Sequence, residues 1–182
     1  MKFLLLFLFF ITSSQSFCKS SQELIKEFCE VEISKIPSQK KPQVLYFAGL
    51  PGAGKSTIKR ALNDFGLIKF SSYQSIDSDE FLVQLDDYIA LSKQGKLIDA
   101  VNKNQKPATE IREAAVECSK KKKINFIFDT TLGGQSAMDG LFNIANQGYL
   151  PWILYVEIDG NVALGRIKNR ENTEGRTVDE GY

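Results

Sequence analysis

The chain has 182 residues, 43% hydrophobic and 25% charged, which fits one folded domain and gives no reason to expect disorder. Its 23 basic and 22 acidic residues leave a formal net charge of +1, so neither nucleic acid nor an anionic membrane has an electrostatic footprint to bind. There is no histidine, which excludes histidine metal sites, Ser-His-Asp triads and imidazole acid–base chemistry and leaves proton transfer to carboxylates, lysine or tyrosine.

In chain order, Met1-Lys2 precedes an unbroken apolar run from Phe3 to Ile11, followed by Thr12 and small residues up to Ser16. This is the pattern of a secretory signal peptide over residues 1–16, cleaved after Ser16, and the apolar run is too short to span a bilayer. The sequence thus predicts a secreted or periplasmic protein, or a cytoplasmic one if the segment is not cleaved. Residues 17–42 read as an amphipathic helix with Leu24, Ile25, Phe28, Cys29 and Ile36 on its apolar side, then a proline-bounded linker, Pro37 to Pro42. The three cysteines, Cys18, Cys29 and Cys118, lack C-x-x-C spacing, which argues against zinc. In an exported chain Cys18 and Cys29 can pair; an unpaired Cys29 on an apolar face is an equal alternative.

Residues 43–182 form the main unit. Val44 to Ala48 is a buried-strand composition, and Gly49-Leu50-Pro51-Gly52-Ala53-Gly54-Lys55-Ser56 follows as G-x-x-x-x-G-K-S, with Thr57 next. A helix from Ser56 to Phe65 completes strand, glycine loop and helix. Such a loop turns backbone N–H groups onto one point at the positive end of a helix. Gly49, Pro51, Gly52, Ala53, Gly54, Lys55, Ser56 and Thr57 are therefore the candidate triphosphate cradle, with Lys55 on the β- and γ-phosphates and Ser56 on Mg²⁺.

Leu67 to Phe70 reads as a short strand, and Ile76-Asp77-Ser78-Asp79-Glu80-Phe81 as the end of a strand opening into a helix. Asp77 and Asp79 then sit at the carboxyl end of a strand, where open α/β sheets bind ligands. One can orient Mg²⁺ and the other accept a proton; capping of the helix by Ser78 or Asp79 is the structural alternative. A helix is predicted over 81–91, broken at Gly95, and another opening at Pro107 with Ile111, Ala114, Ala115 and Cys118 on one face. Lys120 to Lys123 suits that helix's C-terminus. Ile124 to Asp129 is the second core strand, ending on an acid and followed by Thr130 and Thr131. A helix over 135–147 is predicted to bury Met138, Leu141, Phe142 and Ala145, Trp152 to Ile158 to form a third buried strand, and 161–172 a helix carrying Arg166 and Arg170 on one face, with Arg176 beyond. Arginines near a γ-phosphate stabilise charge in phosphoryl transfer. The fold class is α/β: a three-layer P-loop NTPase sandwich with a mostly parallel sheet, short at its C-terminal end.

The loop at 49–57, the Asp-x-Asp-x-Phe segment at 77–81, Phe-Asp-Thr-Thr-Leu at 128–132 and the arginine-bearing tail together resemble the zeta toxin family of small P-loop kinases. The resemblance implies an ATP- and Mg²⁺-dependent kinase acting on a hydroxyl of UDP-N-acetylglucosamine or a similar nucleotide sugar, with an antitoxin protein as partner. Carried over by position, it makes Asp79 the general base, Asp77 its neighbour and a metal residue with Ser56, and Glu113, Asp129 and Thr131 substrate contacts. Arg166 or Arg170, with Arg176, then holds the phosphates. Asp129 stands where the family usually has glutamate, and Gly133 where it commonly has arginine.

Overall fold

The structure, a computed structural model, describes residues 19–174. The segment read as a signal peptide, Cys18 and Arg176 lie outside the described residues.

The run Val44-Leu45-Tyr46-Phe47-Ala48 forms most of β1 (Gln43–Ala48), and every one of its side chains is buried. A strand buried on both faces needs cover on both sides. Val44 and Tyr46 enter one core with Ile76, Ile111, Phe126 and Tyr149, while Leu45 and Phe47 enter a smaller one with Ile127, flanked by Leu62, Ile68 and Phe70. Helix α2 (Lys55–Asp64) follows β1 through the glycine loop. Strand β2 (Gln74–Ile76) leads into α3 (Ser78–Leu82), then α4 (Asp86–Lys93) and α5 (Leu97–Lys122). After β3 (Phe126–Thr130) come α6 (Gln135–Asn146), β4 (Leu150–Tyr155) and α7 (Gly160–Glu174). The four strands are parallel, in the order β2-β3-β1-β4. This is the α/β architecture that the alternation of elements predicts. Because the strands are parallel, the segments following β1, β2 and β3 emerge on the same side.

The N-terminal segment is built into this core. Helix α1 (Ser21–Glu30) is opened by a capping box in which the Ser20 hydroxyl accepts from the Glu23 N–H and the Glu23 carboxylate accepts from the Ser20 N–H. Its Leu24 and Phe28, with Ile33 and Ile36 beyond, join the larger core. Cys29 is disulfide-bonded to Cys118 on α5, with the two Cα atoms 5.6 Å apart. Both alternatives for Cys29, pairing with Cys18 and an unpaired thiol, are thus corrected. Docking of α1 along α5 brings Cys29 to a partner 89 residues away in sequence.

Several local expectations change for tertiary reasons. Leu67 to Phe70 is not a strand: Ile68 and Phe70 pack from a loop and a short 3-10 turn, and the ladder to β3 forms only at Gln74–Ile76. The helix predicted over 81–91 is interrupted at Val83–Leu85, giving α3 and α4. Pro107 does not open a helix but lies inside α5, a position that costs one backbone hydrogen bond. The buried line Ala100, Asn104, Ala108, Ile111, Ala115 runs straight past it, so packing holds the helix through the proline. In α6, Leu141 and Ile144 are buried, whereas Met138 and Phe142 are exposed. Among the described residues β4 is an edge strand with Trp152, Ile153 and Tyr155 exposed, not the buried strand its composition suggests. A hydrophobic run states that burial is favourable, but neighbours must exist to supply it.

Candidate phosphate-binding site

The loop between β1 and α2 has the backbone the glycines predict. Gly49, Gly52 and Gly54 have φ values of 136°, 76° and 94°, in the region that favours glycine. At two of them space is also closed: a Cβ on Gly49 would lie 2.4 Å from the Val156 carbonyl oxygen, and one on Gly52 2.8 Å from that of Ala163. The loop is therefore held between β1, the segment after β4, and α7. Ala53 is buried beneath it, and Pro51, Gly52 and Gly54 are half-buried. Ser56 and Thr57 are exposed on the first turn of α2, where the Thr57 and Ile58 N–H groups donate to the Gly54 carbonyl. A backbone bend that a Cβ would close, opening onto a helix N-terminus, fits a phosphate chain.

Lys55, the first residue of α2, donates from Nζ to the carbonyl oxygens of Gly49 at 2.7 Å and Leu50 at 3.1 Å. Burial pushes its ammonium down, against the pull of Asp129, Asp77 and Asp79 in that order. Those three carboxylates come from two strand ends. Asp129 lies on β3 level with Phe47 of β1, so the parallel register sets it beside the start of the loop. Asp77 follows β2 directly and caps α3, its Oδ1 accepting from the Asp79 N–H at 2.9 Å. Capping is therefore done by Asp77, not by Ser78 or Asp79. Asp79 is exposed on the first turn of α3. Burial raises the Glu80 carboxyl, and Asp77 adds to the rise.

Asp129 is the most enclosed of the acids. Its Oδ2 accepts from Lys59 Nζ at 2.5 Å, while its Oδ1 is buried without a hydrogen-bond partner. Burial raises its carboxyl and the Lys59 ammonium opposes the rise. Thr131 follows β3; its hydroxyl oxygen accepts weakly from the Gly133 N–H at 3.4 Å. Arg166 reaches the loop from α7, donating to the Gly52 carbonyl at 3.3 Å. Of the two arginines the sequence leaves open, Arg166 reaches the loop; the Arg170 side chain is outside the described residues. Glu113 is exposed on α5, 4.0 Å from Arg112. Nothing among the described residues ties it to the loop by a hydrogen bond.

Lys59 escaped the sequence reading because it belongs to no motif. The available signal was its spacing: four residues after Lys55, it shares a face of α2 and points toward the same end of β3.

For a divalent cation, the hard oxygens of Ser56 and Asp77 are the right donor type. Mg²⁺ commonly uses one or two protein oxygens and completes its shell with phosphate and water.

A phosphate loop after an interior strand of a parallel sheet, with acids at the end of the adjacent strand β3 and just after β2 beyond it, defines the P-loop nucleotide-binding class. The zeta toxin family profile matches residues 30–182, and the chain belongs to that family. It is similar to a UMP-CMP kinase of Danio rerio, 29% identical over 150 residues that cover 76% of this chain and 72% of that protein. In fold it resembles a chain of the PezAT chromosomal toxin-antitoxin system of Streptococcus pneumoniae, with a TM-score of 0.69 and 21% identity over 85% of this chain. That alignment spans 64% of the PezAT chain, so this chain corresponds to about two-thirds of it.

Proposed function

We propose that the protein is a kinase that transfers the γ-phosphoryl group of ATP to a hydroxyl of a small molecule, with a nucleotide sugar such as UDP-N-acetylglucosamine as the acceptor. The observation that carries this reading is the placement of Asp129 at the end of β3 and of Asp77 and Asp79 directly after β2, on the side of the parallel sheet from which the phosphate loop and its Lys55 emerge. The loop amides and Lys55 hold the triphosphate, and Arg166 stabilises charge from the α7 side. When bound, Mg²⁺ neutralises charge on the phosphates, held by Ser56 with Asp77. Asp79 takes the proton of the acceptor hydroxyl, and Asp129 and Thr131 bind the acceptor. Catalysis is then mostly positioning and charge stabilisation. The test is ATP consumption by the purified protein against a panel of nucleotide sugars; no acceptor-dependent turnover across that panel refutes the nucleotide-sugar assignment.

The two aspartates separate by experiment. Asp79→Asn should lower kcat by about 100-fold or more while leaving ATP affinity unchanged, since a positioned base contributes about 10²–10⁴. Asp77→Asn should instead weaken Mg²⁺-dependent ATP binding. Should the kcat loss follow Asp77→Asn alone, Asp77 is the base.

Similarity to UMP-CMP kinase favours a second reading, a nucleoside monophosphate as acceptor. A phosphate acceptor is already anionic and needs no base, so turnover with UMP or CMP that survives Asp79→Asn would select it. Gly133 provides a second check. A Cβ there would lie 3.5 Å from the Thr131 hydroxyl oxygen, an ordinary contact, so the backbone accepts a side chain at this position. On the nucleotide-sugar reading Gly133→Arg restores the family's arginine and should lower the acceptor KM about 5-fold or more, the scale of one charge-assisted hydrogen bond. An unchanged KM separates the acceptor from the 131–133 loop.

We place the protein in an exported, oxidising setting, from the signal-peptide pattern over 1–16 together with the Cys29–Cys118 bond. N-terminal sequencing of the mature protein tests this: a start at Met1 in the cytosol refutes it. An antitoxin protein remains the proposed partner, on the likeness to a toxin-antitoxin system.

A further inference from the structure

Lys59 has no part in the mechanism above, although its partner Asp129 does. Lys55 and Lys59 project from one face of α2, four residues apart. Lys59 is committed to Asp129 Oδ2 at 2.5 Å and lies 5.2 Å from the centre of the Phe47 ring, with both charged side chains mostly buried. Lys55 is on the Gly49 and Leu50 carbonyls instead. Asp129 nevertheless retains acceptor capacity, because its Oδ1 is buried with no partner.

We infer that Lys59 is a positioning residue: by neutralising the charge of Asp129 it weakens the pull of that carboxylate on Lys55, and so keeps the Lys55 ammonium on the Gly49 and Leu50 carbonyls, at the loop for the nucleotide phosphates. The charged groups facing Asp129 are Lys59 and Lys55 from α2 and Asp77 from the β2–α3 junction, and Glu80 of α3 also feels its charge. Lys55 also acts on Asp129 electrostatically, so it is the candidate to replace Lys59. A mostly buried carboxylate left unpaired is costly, which drives the neighbouring ammonium toward it. The two lysines thus divide labour, one neutralising the acid and the other binding phosphate. This rests on the nucleotide-binding reading of the loop but not on the identity of the acceptor.

The test reads ATP binding by calorimetry and the position of Lys55 by crystallography of the protein without nucleotide. Lys59→Met should weaken ATP binding about tenfold, the scale of one charge-assisted hydrogen bond. Lys59→Arg should recover it. The double variant Lys59→Met, Asp129→Asn should recover it too, because the competing carboxylate is gone; a merely structural role for Lys59 would not be rescued by a second loss. The crystal structure of Lys59→Met should show Lys55 Nζ moved from the Gly49 carbonyl to Asp129. Unchanged ATP affinity, or a loss that the double variant does not recover, overturns the inference. If the wild-type protein binds no ATP, the nucleotide reading fails separately, and the crystal structure still decides: Lys55 on Asp129 supports the inference and Lys55 still on Gly49 overturns it.

Discussion

Cys29→Ser and Cys118→Ser should each lower the melting temperature of the oxidised protein by about 10 °C or more. Cys18→Ser should leave it unchanged. The bond closes a loop of 89 residues. Constraining a loop of that length removes denatured-state entropy equivalent to about 4–5 kcal/mol, and a protein of this size loses about 2–4 °C per kcal/mol. The location of the bond adds a structural consequence. It fastens α1 to α5, and α1 contributes Leu24 and Phe28 to the same core as Phe81, with the rings of Phe28 and Phe81 5.6 Å apart. Phe81 lies in α3, the helix that carries Asp79. Loss of the bond should therefore loosen the acidic side of the site before the loop side. Thermal unfolding with and without reductant, across the three serine variants, checks this. Equal losses from Cys18→Ser and Cys29→Ser would mean that Cys18 is the partner after all.

Gly49→Ala should be the most damaging single-atom change in the phosphate loop, costing about 2–5 kcal/mol of stability from left-handed strain and overpacking together and abolishing measurable ATP binding. The new Cβ would lie 2.4 Å from the Val156 carbonyl oxygen, a separation that real Cβ atoms essentially never show, on a residue with φ of 136°. The obstacle is backbone on both sides. Val156 is fixed in turn by its N–H donating to the Ala48 carbonyl at 2.8 Å. Relief therefore requires that β1 and the end of β4 separate, which moves the loop itself. Gly54→Ala is the internal control. Its φ of 94° is also strained, but the nearest atom to a Cβ is Arg166 Nη1 at 3.5 Å, the far end of a flexible side chain. It should cost only the conformational part, about 1–2 kcal/mol. Denaturant unfolding and calorimetric titration with ATP measure both, and equal losses at the two glycines would show that space at Gly49 is not the constraint.

The phosphate loop was legible in sequence because its chemistry is local. Glycine conformations, a lysine and a hydroxyl at the start of a helix are set within nine consecutive residues, and the flanking strand and helix are specified by their own composition. The acids at 77, 79 and 129 were legible for a related reason: a parallel sheet puts every strand's carboxyl end on one side, so an acid after a strand is an acid near the loop. Asp129 shows where that reasoning stops. Its position followed from the strand, but its pairing with Lys59 depends on the angle at which α2 leaves the loop. No single-strand pattern contains that angle.

By itself, then, the sequence determined the class of fold, the phosphate loop and the acidic strand ends, since each depends on interactions between residues close along the chain. Tertiary structure alone decided the partner of Cys29, the continuity of α5 through Pro107, the exposure of β4 and the contact of Arg166 with the Gly52 carbonyl. The physical reason is the same in each case. Burial and pairing are properties of two surfaces, and a residue run can declare only one of them. Trp152 and Ile153 are as apolar as a core strand needs, yet they stand at the sheet edge because, among the described residues, no strand pairs beyond β4.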